Sequence, residues 1–232
     1  LQGVVDQGAI VEEMIEGERK ESPSVQMRIS PLGKVEILST HDQMLGGPSG
    51  QSYLGAIFPA DPAYSRLITR EAAKIGDRFV REGIVGRFAL DFLTVRNASG
   101  EWEPYAIEVN LRKGGTTHPF LTLQYLTDGV YDPETGVFTT EGGERRYYVA
   151  SDHVESHAYR VFTAEDLLDI ISIHRLTFDQ TCQTGVILHM FSGVGELGRL
   201  GVTCIHGTPA RARGLYEDFV ALLDREAARR LE

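Results

Sequence analysis

Hydrophobic and polar residues alternate strictly over Val25 to Ile29, and this run, with the apolar-rich stretches Ala9 to Ile15 and Lys34 to Ser39, reads as three strands. Turn signals at Glu16-Gly17-Glu18 and Ser30-Pro31-Leu32-Gly33 separate them, so an antiparallel meander is expected. Residues 40–59, THDQMLGGPSGQSYLGAIFP, are dense in glycine and proline and read as an irregular segment, either a functional loop or a disordered one. From Asp61-Pro62 the period changes. Ile68, Ala72, Ile75 and Phe79 form one stripe of an amphipathic helix, and Gly83 is placed to end it. Residues 87–96 and 102–111 then alternate again around Asn97-Ala98-Ser99-Gly100, the signature of a hairpin.

Beyond Gly115 come a Thr-Thr-His-Pro turn, a short helix from Phe120 to Thr127 and a turn-rich stretch through Asp132-Pro133-Glu134-Thr135-Gly136. A second portion follows, with a helix over Ala164 to Ile173 and strands over Gly185 to Met190 and Gly198 to His206. A closing helix has Thr208 as N-cap, Pro209 as its first residue and Leu215, Phe219 and Leu222 on its inward face. The fold class expected is α+β. Its parts are residues 1–128, a connection over 129–150 and a small α/β domain over 151–232.

With 232 residues, 42% hydrophobic and 24% charged, the chain can bury a sizeable core. A net charge of −10 with no run of Lys or Arg excludes a phosphate-backbone footprint, so nucleic acid is not an expected partner. Cys182 and Cys204 stand in no metal-binding or disulfide pattern and are read as buried small hydrophobes. No apolar run approaches the ~18 residues of a membrane span and no signal peptide opens the chain, which makes the cytoplasm the default location.

The stretch AIEVNLRKGG, residues 106–115, carries the chemistry. Ala106, Glu108 and Asn110 alternate with Ile107 and Val109, so the acid and the amide share one strand face. If the hairpin closes with Ser99-Gly100 as a two-residue loop, Asp91 falls opposite Glu108. Facing carboxylates repel, and a cation between them relieves the repulsion. Two carboxylates and an amide oxygen form a hard donor set that suits magnesium and leaves positions for phosphate and water. Arg112, just beyond, is placed to meet a phosphate or carboxylate. The bare pattern is also that of a half-exposed hairpin showing its acids to solvent.

VEEMIEG, the Gly-rich segment, GRFALDF and EVNLRKGGTTHP together resemble the ATP-grasp carboxylate-amine ligases, the group that includes D-alanyl-D-alanine ligase and glutathione synthetase. EVNLRKGGTTHP with the C-terminal region is similar to the pheganomycin-type peptide ligases. The resemblance implies the second half of an ATP-grasp fold, an antiparallel sheet with flanking helices, followed by a small α/β domain. It implies ATP and Mg2+, with Mn2+ as a substitute. Asp91, Glu108 and Asn110 would be metal ligands, Glu12, Glu13, Met14 and Ile15 the hinge strand that binds adenine, and Glu18 a ribose contact. Arg112 and Arg87 would face the transferred phosphate. The lobe expected before the hinge, with its lysine-bearing strand and Gly-rich flap, does not match any part of this sequence. The chain is therefore expected to be the latter part of a ligase, inactive alone.

Outside that set, His41, Gln43 and His118 are candidate substrate contacts, and Arg199 is placed to reach the cleft if the C-terminal portion packs there. His153 and His157 have the spacing of one helical face but no further metal ligand. SGVGELG, residues 192–198, lies between two expected strands and reads as a turn rather than a dinucleotide loop. The expected reaction joins a small-molecule carboxylate to an amine, an amino acid or peptide, through an acyl phosphate. A nucleotide-binding module without catalysis and a kinase on the same fold are the alternatives.

Overall fold

Alternation produces strands where it is uninterrupted, and the first of these build one antiparallel sheet. In the computed structural model, which describes residue 8 and residues 13–231, β1 spans Arg19–Glu21, β2 Pro23–Ile29, β3 Val35–Gly46 and β4 Ser52–Phe58. Helix α1 spans Pro62–Arg81, and the hairpin strands are β5, Gly86–Arg96, and β6, Trp102–Asn110. Of the strand expected over 9–15, residues 9–12 lie outside the described residues, and 13–15 adopt no regular structure.

Residues 40–59 correct the sequence reading. His41 to Gly46 continue β3 and Ser52 to Phe58 form β4, so the irregular part contracts to the turn between them. Glycine clusters at 46, 47 and 50, where Gly47 and Gly50 take positive φ, and the flanking THDQML and SYLGAIF carry no clean alternation of their own. Averaging composition over twenty residues hid two strands.

Helix α1 begins where the Asp61 carboxylate accepts the Ala63 amide at 2.8 Å and Pro62 presets the first turn. It ends at Glu82 before Gly83, whose φ of 76° suits only glycine well. Its stripe, with Tyr64, Ile68 and Ala72 buried and Ile75 and Phe79 beside them, packs on Val25, Met27, Ile29, Phe88, Leu90 and Phe92. Each large side chain so buried stabilises the fold by about 1.5–3 kcal/mol. The opposite face of β2 and β5, bearing Ser24, Gln26, Arg87, Ala89 and Asp91, is thereby left for other work.

Next come α2, Thr117–Thr127, the small hairpin β7, Val130–Asp132, with β8, Val137–Thr139, and then β9, Tyr147–Glu155. The Thr-Thr-His-Pro segment, expected as a turn, is the first turn of α2. Like β1, β4, β7 and β8, β9 is not among the elements expected from the sequence. It pairs with β4 through Ala56 and Ala150 on one side and with β11, Arg199–His206, on the other. The final order among the described strands is β6, β5, then β1 and β2 end to end, β3, β4, β9, β11 and β10, Gly185–His189. One sheet therefore runs through the N-terminal and C-terminal portions alike.

Helix α3, Ala164–Ile173, opens on a capping box between Thr163 and Asp166. The segment between β10 and β11 contains a one-turn helix α4, Val194–Leu197, and joins antiparallel strands, so no dinucleotide loop forms. Helix α5, Pro209–Leu231, starts with the Arg211 amide donating to Thr208 Oγ1 and buries Phe219, Leu222 and Leu223 against β9 and β11. Two further corrections follow. His153 sits on β9 rather than on a helix, and Cys182 is exposed in a turn while Cys204 alone is buried. Among the described residues no helix is long and apolar enough to cross a membrane.

Candidate active site

The hairpin closes differently from the simplest expectation. Arg96 pairs with Trp102, Asn97 and Glu101 are joined by an amide-to-carbonyl bond of 2.9 Å, and Gly100 takes a φ of 83°. Three residues, Ala98 to Gly100, therefore form the loop, stabilised because Asn97 Oδ1 accepts from the Ser99 and Glu101 amides, both at 3.0 Å. Further along, Phe92 pairs with Ala106 but Asp91 pairs with Glu108, so Ile107 is an extra residue, a β-bulge. The bulge offsets the longer loop. Asp91 and Glu108 face each other after all.

Asn110 Nδ2 donates to Asp91 Oδ2 at 3.0 Å and to Glu108 Oε2 at 3.3 Å, while Gln43 Nε2 donates to Asp91 Oδ1 at 2.9 Å. Asp91 is half-buried and Glu108 is exposed. Burial and the Glu108 carboxylate push Asp91 up to about 6, and the charge of Arg112 opposes this. Asp91, Glu108, Asn110 and Gln43 line a cleft of about 350 Å³ whose floor includes Ser24, Gln26 and Ala89. Two carboxylates and an amide converging on one open cleft fit a divalent cation that takes its remaining ligands from phosphate and water. Turned over, the Asn110 amide presents its oxygen to the same point.

Arg112 lies on the rim of this cleft, its amide bonded to the Asn110 carbonyl at 2.7 Å. Arg87 shares the strand face of Ala89 and Asp91, and it meets Arg112 around a small hollow beside Gln26 and Thr117. Arg112 thus borders the acids, while Arg87 borders only the neighbouring hollow.

A second cavity of about 640 Å³ adjoins the first, with Gln43, Leu45 and Gln51 lining both. Glu13, Met14 and Ile15 form one side of it and Leu93 and Ile107 another. Met14 is 75% exposed, an apolar side chain held at the mouth of an apolar cavity. The bulge accounts for Ile107: it breaks the alternation and turns this residue to the Leu93 side, where the sequence pattern had put it on the opposite face. Glu12 lies outside the described residues. Glu18 is exposed, and Lys20 and Glu21 of β1 border the cavity instead.

The three substrate candidates separate. Gln43 lines the cleft and orients Asp91. His118, in the first turn of α2, is exposed, with its ring 4.6 Å from that of His189. His41 does not reach the cleft: it is fully buried beneath α2, against Phe58, Phe120 and Tyr148, with Nε2 2.8 Å from the Tyr148 hydroxyl. Burial holds it down to about 3, so it is neutral. Arg199 spends its Nε on the Asp152 carbonyl at 2.8 Å. Tyr53 and Asp152, which also wall the cleft, were not legible from the sequence, because β4 was hidden in the Gly-rich segment and β9 in the connection.

A family model described as IQCH-like, ATP-grasp matches residues 1–134. The L-propargylglycine–L-glutamate ligase of Streptantibioticus cattleyicolor is 30% identical over 220 residues, 95% of this chain and 44% of the ligase. An N5-carboxyaminoimidazole ribonucleotide synthetase in complex with ADP has a TM-score of 0.56 at 16% identity, over 92% of this chain and 51% of that one. The Thermotoga maritima synthetase of the same name has a TM-score of 0.56 at 14% identity, over 95% and 57%. At such identities the structural likeness concerns the fold, and the chain spans about half the length of these relatives. The chain belongs to the ATP-grasp family.

Proposed function

We propose that this ATP-grasp chain carries the magnesium-nucleotide side of a carboxylate-amine ligase. The observation that carries the reading is the contact of Asp91 and Glu108 across β5 and β6, with Asn110 bonded to both, in an open cleft. Like charges held together at the mouth of a cavity are costly unless a cation joins them. The apolar cavity of Met14, Ile15, Leu45, Leu93 and Ile107 takes the adenine, and the cleft takes the phosphates.

In this reading Asp91, Glu108 and Asn110 hold Mg2+, or Mn2+ in its place. When bound, a metal nucleotide would supply the phosphoryl group that converts a carboxylate into an acyl phosphate with release of ADP, and an amine attacking the acyl carbon would release inorganic phosphate as the amide forms. The chain positions and neutralises. Gln43 fixes the Asp91 rotamer, and Arg112 and Arg87 offset charge on the transferred phosphate. No protein nucleophile is needed. Similarity to the L-propargylglycine–L-glutamate ligase of S. cattleyicolor supports an amino acid as donor or acceptor. Residues 1–128 would serve the nucleotide and 151–232 the second substrate, with the cytoplasm as the place of action.

Phosphorus NMR of the full gene product with ATP, Mg2+ and an amino-acid pool tests this. ADP and inorganic phosphate, together with a new amide, are expected. AMP with pyrophosphate, or a phosphorylated product without an amide, would reject it.

A further inference from the structure

The cleft has one carboxylate more than a metal nucleotide requires. Asp152 of β9 and Tyr53 of β4 form the wall near Gly115. Asp152 Oδ1 is 2.6 Å from His153 Nδ1, and its other oxygen makes no hydrogen bond among the described residues. A hollow of about 10 Å³, the size of one water, lies between Tyr53, Asp152 and His189. His189 Nδ1 is buried and without a partner among the described residues.

An acid facing a cleft that receives phosphates is repelled by its contents, so it is retained only where it meets a cation. His153 meets only one oxygen of this acid, and Arg112, on the same cleft, is assigned to the phosphates. Burial, followed by the charge of His118, holds His189 down to about 4, so its ring is neutral near pH 7. Burial and the charges of Asp152 and Asp91 push the Tyr53 phenol up, keeping its proton. Arg199 donates its Nε to the Asp152 main-chain carbonyl and His153 meets Oδ1, which leaves Oδ2 for a ligand. Close packing adds shape: a Cβ on Gly115 would lie 3.0 Å from Tyr53 Cε1, and one on Gly201 would run into the His189 ring.

We infer that Asp152 and Tyr53, backed by the His118–His189 pair, form the subsite for the amine of the second substrate, held as its ammonium. The inference rests on the ligase reading and adds a position and a charge for the acceptor. The C-terminal portion then enters the active site through β9. The second substrate arrives at the cleft wall opposite the hairpin acids as its ammonium, loses a proton to water in the open cleft, and then attacks the acyl carbon through its free lone pair as phosphate leaves.

Hydroxylamine separates this inference from the reading beneath it, because it traps an acyl phosphate as a hydroxamate without an ammonium subsite. The full gene product and its Asp152→Asn, Asp152→Glu and Tyr53→Phe variants would be assayed with ATP, Mg2+ and an amino-acid pool. Both hydroxamate, with hydroxylamine added, and amide, without it, would be measured. In Asp152→Asn the ratio of amide to hydroxamate is expected to fall roughly 30-fold through a raised KM for the amine, in line with loss of a charge-assisted contact. Asp152→Glu should recover part of it, and Tyr53→Phe, which keeps the ring, should lose several-fold. A ratio within about two-fold of wild type in Asp152→Asn overturns the inference while leaving the ligase intact. So does a loss of both products that extra magnesium restores, which would make Asp152 a metal contact. If the unaltered protein forms no hydroxamate from any carboxylate, the ligase reading fails and the inference with it.

Discussion

Asp91 and Glu108 stand opposite one another because two irregularities in the same hairpin cancel: a three-residue loop at Ala98 to Gly100 and one extra residue at Ile107. Without the bulge, this loop would set Asp91 against Ile107 and leave Glu108 facing Leu90. A one-residue slip moves every side chain to the other face. The bulge thus restores the acid pair and also swings Ile107 into the adjoining apolar cavity.

Asp91→Asn removes one charge of the pair and keeps its shape. The metal-free chain is expected to be unchanged in stability or to gain up to ~1 kcal/mol, the usual cost of like charges facing across a ladder. Affinity for Mn2+ with ADP should fall roughly 100-fold. Denaturant melts and titration calorimetry check the two halves; metal affinity equal to wild type would remove Asp91 from the site.

Asp91 also predicts a pH dependence. Its folded value of about 6 lies above the ordinary 3.8, so its contribution to stability is full below the ordinary value and is lost as pH rises through 6. A cation must displace that proton. Apparent Mn2+ affinity is therefore expected to be flat above pH 7 and to fall toward tenfold per unit below about pH 6. Affinity that holds constant down to pH 5 would contradict the pairing of Asp91 with a cation.

Ile107→Ala shortens the side chain that the bulge turns inward beside Leu93 and Leu45. ATP affinity is expected to drop about tenfold, from roughly 1–2 kcal/mol of lost apolar contact, with Mn2+ affinity in the absence of nucleotide unchanged. Fluorescent nucleotide titration reads the first and calorimetry the second. Equal weakening of both would place Ile107 in the metal site or the fold rather than against the base.

His41 titrates in the opposite sense to Asp91. Its folded value of about 3 lies below the ordinary 6.5, so its contribution is present above 6.5 and is lost as pH falls toward 3. His41→Phe should therefore become more stable relative to wild type by about 1.4 kcal/mol per pH unit between pH 6 and 4. Parallel stability curves for the two proteins would show that His41 is protonated in the fold.

The sequence alone determined the local elements whose period is unbroken. The α1 stripe of Ile68, Ala72, Ile75 and Phe79, its Asp61 cap and Gly83 stop, the β5 and β6 strands and the Thr208 cap of α5 all depend on neighbours within a few residues, and all are legible there. The pairing of Asp91 with Glu108 was legible too, though through the wrong loop.

Only the tertiary structure decided what depends on distant partners. His41 and Gln43 share a strand face, yet α2 covers the first and leaves the second open, and nothing within β3 distinguishes them. β9 forms a strand because β4 and β11 supply hydrogen bonds on both edges, and that pairing brings Asp152 to the cleft. A strand edge and a covered face are satisfied by segments some hundred residues away, so side-chain period shows that a residue alternates but not what it meets.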